Sequence, residues 1–399
     1  MDTNTIQKFL IGVQTSLDAY QSDPTETSRV EAQEKALELA RALEKPRDAI
    51  LKIAYSPTIV MAIKVAHDLQ VFPTLAKATS PVSLNELAAL KPADPLLVER
   101  IMRLLVAHSF SEEPEPCEYL PTALTKEMTQ RTSIGVVESL FLEFLPGIQK
   151  VPEYLQVIGY KNPEDPFFAP LQYAHNVKKD GFLWLCENPA ALTRFNAFME
   201  GQRADRPHWA DWFPVPDQIL AGAHKGSDGP LLVDIGGGRG HDLLGFKQRF
   251  PDAPGRLVLE DLPAVIEEAR SALDLKGNGI DMVPYDFFAQ QQPIQGARVY
   301  YFRNIFHDWS DDKARLILKN LIPAMERGYS KVLLEDYIIP DKNARALEGM
   351  TDIAVMVFCS GLERTRQRFT NLLESGGLKV TKFWTREANG QGIIEAELA

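Results

Sequence analysis

The sequence predicts an α/β protein whose C-terminal part forms a doubly wound parallel sheet and whose N-terminal part is mainly helical. After residue 226, strand-like apolar runs alternate with helical stretches, an order typical of a parallel sheet with helices on both faces. The first run ends in glycines that a helix follows, whereas the first 55 residues or so carry strong helix formers at helical spacing. The predicted strands are PLLVDIGGG, GRLVLEDLP, MVPYDFF, ARVYYFRNIF, KVLLEDYII and VTKFW.

We expect two domains, a mainly helical one at residues 1–125 and a second one at residues 126–399. In the first, the helical stretch EAQEKALELARALEKPRDAILKIA contains Pro46, which is expected to break or kink the helix. In the second, residues 126–225 read as helices joined by proline-rich turns, and residues 226–399 contain the predicted sheet. The helical region is dense in aromatic residues, most of which belong to a core, while a few could line an apolar substrate pocket.

Residues 80–127 have the order helix, helix and short β-wing, which is a winged-helix pattern. This stretch contains eight acidic side chains against four Lys or Arg side chains, and the whole chain has a net charge of −11. Such a surface repels phosphates, so we expect a structural module and no nucleic-acid partner.

The cysteines and the first residues exclude further classes of protein. Cys117, Cys186 and Cys359 lie far apart without a CxxC pair, which argues against a disulfide framework and against a zinc site. The start, MDTNTIQKFLIG, lacks the basic and apolar regions of a signal peptide, and no uncharged apolar run reaches membrane-spanning length. We therefore expect a cytoplasmic protein without a membrane partner. P-loop, HExxH and GxSxG motifs are absent from the sequence.

The segment VDIGGGRGHD predicts a ligand site at the end of the first strand. Its glycines allow a tight turn and let a ligand approach the backbone, with a G-x-G-x-G spacing that differs from the dinucleotide-binding motif. Asp234 precedes the glycines and could hold a cationic amine. Asp261, 21 residues beyond Gly240 at the end of the next predicted strand, is placed to bind both hydroxyls of a ribose. Together these features indicate a nucleoside-type cofactor, with a merely structural turn as the alternative.

A second candidate site follows the strand in VYYFRNIFHDWSDD, where His307 stands between an apolar run and an acidic helix start. A histidine at a strand end can act as a general base near neutral pH, because its ordinary pKa lies close to that pH. The alternative is a buried histidine that packs beside Trp309. The residues alone leave both interpretations open. The other histidines are expected to be structural or on the surface: His67, His108, His208, His224 and His241.

The segments DIGGGRGH, EDLPAVI, YDFF, RNIFHDWSDDKA, LLEDYIIP and GLERTRQRF, in this order, resemble the plant- and fungal-type small-molecule O-methyltransferases, which use S-adenosylmethionine (SAM). The resemblance covers nearly the whole chain, and LEDLP, MEGQRADRPHW and GHDLLGF are most similar to fungal members that act on secondary metabolites. It implies a Rossmann-like class I SAM-dependent methyltransferase domain preceded by a winged-helix dimerisation domain. It therefore also implies a homodimer, and it implies no metal ion, because this type of enzyme is metal-independent.

The resemblance also assigns cofactor-binding residues. Phe287 stands where the family often has Met, and Arg303 stands where many members have Lys, which changes the geometry of a polar contact. The implied set is Asp234, Gly236, Gly238 and Gly240 at the methionine end of SAM, Asp261 at the ribose, Asp286 and Phe287 at the adenine, and Arg303 as a polar contact.

In the same resemblance His307 aligns with the family's general base, which removes the proton of the hydroxyl to be methylated. Asp336 and Glu363 align with the two acids that orient this histidine. The substrate pocket is expected to contain Met199 and Met356, with His175 and Trp209 as further candidates.

Functions from different classes stay open at this stage. The leading hypothesis is methylation of a hydroxyl of a small-molecule secondary metabolite. Some fungal relatives use the same scaffold as pericyclases or dehydratases on polyketide or pyridone-alkaloid intermediates, with SAM as a fixed positive charge. The filled catalytic positions favour methyl transfer without excluding this alternative. A SAM-sensing or scaffolding protein fits the acidic wing and the filled catalytic positions poorly.

Overall fold

The computed structural model describes residues 3–204, 206–224, 228–385 and 390–399. The chain divides into two compact units. The first consists of Met1–Leu145 and Leu185–Asp205, and the second of Pro146–Trp184 and Arg206–Ala399. The domain boundary expected at residue 125 stays a prediction.

The first unit begins with four helices: α1 (Thr3–Ser22), α2 (Glu26–Leu43), α3 (Pro46–Tyr55) and α4 (Pro57–Asp68). Thr25 and Ser28 form a capping box at the start of α2. Prolines occupy the first positions of α3 and α4, where the missing N–H group has no intrahelical partner to lose. The expected helix break is confirmed, because α2 ends at Leu43 and α3 begins at Pro46.

The segment Pro46–Asp68 has the length and composition of a membrane span, with a mean hydropathy of 1.5, and 17% of it is buried. Such a segment is weak evidence for a membrane, and here it is divided into α3 and α4 at Ser56. Its exposed apolar side chains on α3 are Ile50, Leu51, Ile53 and Tyr55. An apolar surface of this kind marks an interaction site.

The expected winged-helix pattern is present in the first unit. Ser83 forms a capping box with Glu86, and Asp94 caps the helix that Pro95 opens. The strands pair antiparallel around a core that includes Phe72, Met102 and Tyr119, in the order β1-β3-β2. The elements are α5 (Val71–Leu75), β1 (Val82–Ser83), α6 (Leu84–Ala89), α7 (Pro95–Ala107), β2 (Ser111–Glu115), β3 (Glu118–Pro121) and α8 (Ala123–Glu127).

Five helices follow: α9 (Arg131–Ser139), α10 (Leu145–Val157), α11 (Pro170–His175), α12 (Gly181–Cys186) and α13 (Pro189–Ala204), with a π-helical turn at Leu140–Phe144. In the first unit α9 packs closely on α13, since a Cβ on Gly135 would lie 2.6 Å from the Cβ of Ala197. The buried Glu143 pairs with Arg194 at 2.5 Å. These contacts explain why the segment around α13 belongs to the first unit although it lies far along the chain.

The second unit is built on a sheet with the strand order β10-β11-β8-β7-β4-β5-β6 in the described part of the chain. The strands are β4 (Pro230–Ile235), β5 (Arg256–Asp261), β6 (Ile280–Pro284), β7 (Val299–Arg303), β8 (Lys331–Ile339), β9 (Arg364–Thr365), β10 (Leu378–Thr385) and β11 (Gln391–Leu398). Strands β4 to β8 are parallel, and β9 pairs with the end of β8. The predicted sheet is confirmed for these strands, but β11 was not predicted, and it joins β8 and β10 as an antiparallel strand.

Helices cover both faces of this sheet: α14 (Val215–Gln218), α15 (His241–Arg249), α16 (Pro263–Ala272), α17 (Asp311–Leu321) and α19 (Arg366–Ser375). The helix α18 (Ala346–Cys359) lies between β8 and β9 along the chain. Along β7, Tyr300 and Phe302 pack into a core with α17 and α19. Tyr301 on the same strand packs into the opposite core with α15 and α16. The strand order reverses between β4 and β7, and α/β sheets place ligand sites at the carboxyl ends of strands at such a point.

Candidate cofactor and catalytic site

The glycine loop connects β4 to α15 at the carboxyl edge of the sheet. Gly236, Gly238 and Gly240 have φ angles of 73°, 60° and 81°, a left-handed backbone conformation that residues other than glycine rarely adopt. A Cβ on Gly236 would lie 2.5 Å from Cδ1 of Ile305, whereas one on Gly238 would meet nothing within 4 Å. The loop is therefore packed on one side and presents open backbone on the other, which fits the close approach of a ligand.

Two carboxylates flank this loop. Asp261, at the end of β5, accepts hydrogen bonds from the backbone N–H groups of Gly238 at 2.8 Å and of Leu262 at 2.7 Å. Burial raises the pKa of Asp261, and these hydrogen bonds oppose that rise. Asp234 is buried in β4 directly beneath the loop, because a Cβ on Gly237 would lie 2.5 Å from its Oδ2. Both expected acids thus lie at the glycine loop.

The loop after β6 reaches the same place. Asp286 Oδ1 accepts the backbone N–H of Phe288 at 2.9 Å, which fixes the start of this loop. The ring of Phe287 lies edge-on to Phe288 at 4.7 Å and to Trp309 at 6.2 Å. Its Cε1 would lie 4.0 Å from a Cβ on Gly236, so the structure brings Phe287 to the glycine loop.

Arg303, at the end of β7, is held by carboxylates of the protein itself. Its Nη1 donates to Asp242 Oδ1 at 2.6 Å, and its Nε lies 3.7 Å from Glu335 Oε2. Burial alone would lower the pKa of Arg303, but the charges of Asp242 and Glu335 raise it, so the side chain stays cationic. Since Asp242 lies in the first turn of α15, Arg303 ties the helix after the glycine loop to β7 and β8. Its polar contact with the cofactor stays a prediction.

His307 lies in a 3₁₀ turn, Phe306–Asp308, just after β7. Its Nδ1 is 2.9 Å from Oε1 of Glu363, and its side chain is 13% exposed. Its Nε2 lies 3.5 Å from Oδ1 of Asp308. Glu363 therefore fixes the ring through one nitrogen and leaves the other nitrogen on the side of Asp308.

Several contacts hold this turn in place, and the sequence reasoning did not identify them. A Cβ on Gly361 would lie 2.2 Å from the carbonyl oxygen of His307, so only glycine fits there. The backbone N–H of Leu362 donates to the same oxygen at 2.8 Å. Arg364 is fully buried and donates to the carbonyl oxygens of Phe306 at 2.5 Å and Trp309 at 2.7 Å. The segment 361–364, which contains Glu363, thus fixes the backbone on both sides of His307.

Asp336, expected to orient the histidine together with Glu363, lies fully buried in β8. Neither of its carboxylate oxygens has a hydrogen-bond partner among the described residues. Burial raises the pKa of Asp336 to about 8, although the charge of His307 opposes that rise. Asp336 therefore makes no hydrogen bond to His307 in the described part of the chain, and its role in orienting the ring stays a prediction.

Asp308 is an acid of this site that the sequence reasoning missed. Burial raises its pKa to about 6 against the opposing charge of His307. Its Oδ1 also lies 3.7 Å from Sγ of Cys359, the last residue of α18. The signal was present in the sequence, because Asp308 directly follows His307.

The acids around His307 determine its protonation. Burial alone would lower the pKa of His307, but the charges of Asp308 and Glu363 and the hydrogen bond to Glu363 raise it well above 6.5. These charges therefore favour the protonated, imidazolium form of the ring. A proton can be donated from it directly, whereas proton uptake requires that it first lose one.

The predicted pocket residues lie in different environments. Met356 is half-buried on α18, and His175 is half-buried on α11 with its ring 4.9 Å from that of Trp184. Met199 is half-buried on α13 in the first unit. Trp209 is 1% exposed and stacks on Phe246 and Tyr301 at 5.7 and 5.0 Å. This burial assigns Trp209 to the core rather than to a pocket surface.

Within the described residues no group of three or more His, Cys, Asp or Glu side chains is arranged to hold a metal ion. The cysteines Cys117, Cys186 and Cys359 are free thiols.

Comparison with known proteins covers both parts of the chain. Residues 217–379 match the O-methyltransferase domain family, and residues 51–131 match the O-methyltransferase dimerisation domain family. The O-methyltransferase penC of Penicillium thymicola is 38% identical over 371 residues, which is 92% of this chain and 91% of that protein. The O-methyltransferase asqD of Emericella nidulans is 39% identical over 341 residues, 85% of this chain and 87% of that protein.

Solved structures share the fold over nearly the entire chain. LepI in complex with SAM has a TM-score of 0.86 at 27% identity and covers 98% of this chain and 100% of its own. OxaC in complex with sinefungin and meleagrin has a TM-score of 0.86 at 27% identity, with 100% of both chains covered. A structure described as a pericyclic reaction enzyme has a TM-score of 0.85 at 27% identity, again with 100% of both chains covered.

The strand order, the glycine loop and these neighbours define a class I SAM-dependent methyltransferase fold with a helical dimerisation domain before it. The chain belongs to the SAM-dependent O-methyltransferase family, and its relatives include fungal secondary-metabolite O-methyltransferases. The resemblance noted in the sequence is confirmed.

Proposed function

We propose that this protein is a SAM-dependent O-methyltransferase that methylates a hydroxyl of a fungal-type secondary metabolite, with His307 as its general base. The observation that carries the proposal is the ring geometry of His307. Its Nδ1 is hydrogen-bonded to Glu363. The turn that carries the ring follows β7, the neighbour of β4, and therefore lies at the same carboxyl edge of the sheet as the glycine loop. The names of the relatives, including a demethylsterigmatocystin 6-O-methyltransferase at 32% identity, support the reaction and the substrate class.

The residues present fit SAM. The left-handed glycines leave open backbone at Gly238, and Asp234 and Asp261 flank that opening with carboxylates suited to an amine and to ribose hydroxyls. Asp286 and Phe287 would adjoin the adenine. When bound, SAM supplies a methyl group activated by a positively charged sulfur.

Proton transfer sets the main requirement on His307. A hydroxyl that attacks a methyl group must lose its proton, so Nε2 has to be neutral at that moment. The acids around the ring hold the pKa of His307 well above 6.5 and thereby favour the protonated form. A positive charge near the ring favours the neutral form, and a cationic cofactor is such a charge. Once Nε2 has taken the proton, Glu363 stabilises the imidazolium.

The raised pKa of His307 is also the specific observation that favours a second function. A protonated ring can donate a hydrogen bond to a substrate carbonyl, as a pericyclase or dehydratase would use it. The neighbour described as a pericyclic reaction enzyme supports this alternative. In that case SAM would be an electrostatic cofactor that is not consumed.

The test is incubation of the protein with SAM carrying a labelled methyl group and an extract of fungal secondary metabolites. His307→Ala is compared with His224→Ala, which changes an exposed histidine stacked on Tyr329. Label that enters a small molecule with the wild type and with His224→Ala, but not with His307→Ala, supports the methyltransferase and its base. SAM-dependent loss of a metabolite to an isomer or a dehydrated product, without label transfer, supports the pericyclase instead. Label transfer that His307→Ala retains would overturn the base role.

We further propose a homodimer formed through the first unit. The match to a dimerisation domain supports it, as do the exposed apolar side chains of α3, a surface of the kind that a partner buries. Light scattering with size-exclusion chromatography tests it, and a monomeric mass at micromolar concentration would contradict it. The cytoplasmic location stays a prediction.

A further inference from the structure

Glu260 is a fully buried carboxyl group next to the cofactor site that the proposed reaction does not use. It precedes Asp261 in β5, and adjacent strand residues point to opposite faces, so its side chain enters the core while Asp261 meets the glycine loop. Its backbone oxygen accepts the N–H groups of Gly236 at 2.8 Å and Gly237 at 3.4 Å. Glu260 therefore supports the glycine loop from beneath.

The side chain of Glu260 forms a second contact, with the loop that follows β6. Its Oε2 accepts a hydrogen bond from Nε2 of Gln292, which is 1% exposed, at 2.7 Å. Gln292 Oε1 accepts the backbone N–H of Ile294 at 2.8 Å, and the backbone N–H of Gln292 donates to the carbonyl of Asn320 at 3.0 Å. Gln292 thus connects β5 with its own loop and with α17.

Asn320 completes the connection. Its Nδ2 donates to the carbonyl oxygen of Phe287 at 2.8 Å and reaches that of Phe288 at 3.5 Å. A continuous series of hydrogen bonds therefore runs from the glycine loop through Glu260, Gln292 and Asn320 to the backbone of Phe287.

We infer that Glu260, Gln292 and Asn320 are positioning residues that fix the spacing between the glycine loop and the loop of Asp286 and Phe287, and thereby set the affinity for the adenosyl part of the cofactor. The inference rests on the SAM site proposed above. Buried hydrogen bonds suit this task, because a broken one leaves a polar group unpaired in the core and shifts the backbone that it held.

The groups that face Glu260 determine how this set responds to pH. Burial raises the pKa of Glu260 to about 7, and the hydrogen bond from Gln292 opposes that rise. The nearby titratable groups are the phenols of Tyr285 and Tyr300, whose hydroxyls contact the carbonyl oxygens of Gln290 and Ile294 in the same loop. Asp286, which follows Tyr285, adds a carboxylate at the end of β6. Above pH 7 Glu260 is ionised, and its carboxylate keeps the hydrogen bond from Gln292 but lies in the core with an Oε1 that has no hydrogen-bond partner among the described residues. A buried charge with one donor destabilises this arrangement, so we expect the cofactor affinity of the wild type to decline above pH 7.

Calorimetric binding of two ligands tests the inference. S-adenosylhomocysteine contains the adenosyl and amino-acid parts, whereas 5′-methylthioadenosine lacks the amino acid. Gln292→Leu and Asn320→Ala are each expected to weaken the binding of both ligands roughly tenfold, the factor for a lost buried hydrogen bond. Asp234→Asn should weaken the binding of S-adenosylhomocysteine alone, because the proposed site uses Asp234 to hold the amino group. Gln291→Leu, a change at the exposed neighbour of Gln292, is the matched control and should bind like the wild type.

A purely structural role predicts a different pattern. Gln292→Leu would then lower the melting temperature while both dissociation constants stay at the wild-type value, and that result would overturn the inference. Glu260→Gln keeps an acceptor for Gln292 and is expected to bind like the wild type at pH 6.5 but to lose the decline in affinity above pH 7. An unchanged decline in this variant also overturns the inference. Failure of the wild type to bind S-adenosylhomocysteine would instead refute the cofactor site.

Discussion

On the glycine-loop side of the site, the structure presents backbone in left-handed conformations and carboxylates that brace it, whereas on the His307 side it presents buried ionisable side chains. Gly236 and Gly238 define the first side through their φ angles and open space. His307, Asp308 and Glu363 define the second through charge and burial. Cofactor binding at the first side should therefore respond to side-chain atoms added at the glycines, and chemistry at the second side should respond to pH. Substitutions and pH should separate the two.

The largest effect is expected for Gly236→Ala. Alanine at a φ of 73° is strained, and its Cβ would lie 2.5 Å from Ile305, so the loop has to move. Backbone strain of about 1–3 kcal/mol together with this clash should weaken the binding of S-adenosylhomocysteine roughly 100-fold. Calorimetry measures this change in the dissociation constant.

The matched control for this change is Gly349→Ala, at a helical glycine where a Cβ meets nothing within 4 Å. It should bind S-adenosylhomocysteine like the wild type at any pH between 6 and 9. Equal affinities of Gly236→Ala and the wild type would show that the loop is not a backbone-built site.

A smaller effect, of roughly tenfold in kcat/KM, is expected for Glu363→Gln, and it should depend on pH. In the wild type the pKa of His307 is raised, so the neutral base becomes available only as pH rises, and kcat/KM should increase with pH to a plateau. The amide removes one of the charges that raise this pKa. The variant should therefore reach its plateau at lower pH, and that plateau should be lower because the imidazolium is less stabilised.

The pH profile is measured with the acceptor that the labelled-methyl experiment identifies. Asp312→Asn changes an exposed acid in the first turn of α17 and should reproduce the wild-type profile. A profile that falls with increasing pH would mean that the protonated ring is the active form, which favours the pericyclic alternative.

The contrast between the two sides also explains what the sequence could predict. The glycine loop lies in one short stretch, and its conformation follows from local backbone preferences, so Gly236, Gly238 and Gly240 could be predicted as a tight turn. Their φ angles show the left-handed conformation that makes this turn. The strands β4, β5, β7 and β8 were predictable for a similar reason, since each is a largely buried apolar run. The strand β11 was missed because its sequence, QGIIEAEL, interrupts a short apolar run with acids.

The acid arrangement around His307 could not be predicted in the same way, because it depends on where separate segments meet. Asp336 and Glu363 were both expected to orient the ring, yet only Glu363 is hydrogen-bonded to it, and Asp308 approaches the other nitrogen. Arg364 had no motif to reveal its contacts. Trp209 was expected in a pocket because aromatic side chains often line pockets, but its stacking on Phe246 places it in the core. Side-chain pairings of this kind follow from tertiary packing rather than from spacing along the chain.

The third expected effect concerns stability rather than ligand binding or catalysis, and it isolates Asp336. The folded-state pKa of Asp336, about 8, lies above the ordinary value of 3.8, so the folded protein binds an extra proton between these values. Unfolding releases that proton, and the free energy of unfolding therefore falls as pH rises through this window, by at most about 1.4 kcal/mol per pH unit. Asp336→Asn has no titrating proton at this position in either the folded or the unfolded state. The melting temperature of this variant should therefore fall less between pH 5 and pH 8 than that of the wild type.

Asp341→Asn, an exposed change two residues beyond the end of β8, should keep the wild-type slope. Melting temperatures of the three proteins at pH 5, 6, 7 and 8 decide the matter. Parallel curves for Asp336→Asn and the wild type would mean that Asp336 is ionised throughout and is stabilised by the charge of His307. In that case the His307 side would contain one more negative charge at neutral pH. That charge would stabilise the imidazolium and raise the pKa of His307 further, so the neutral general base would form only at still higher pH.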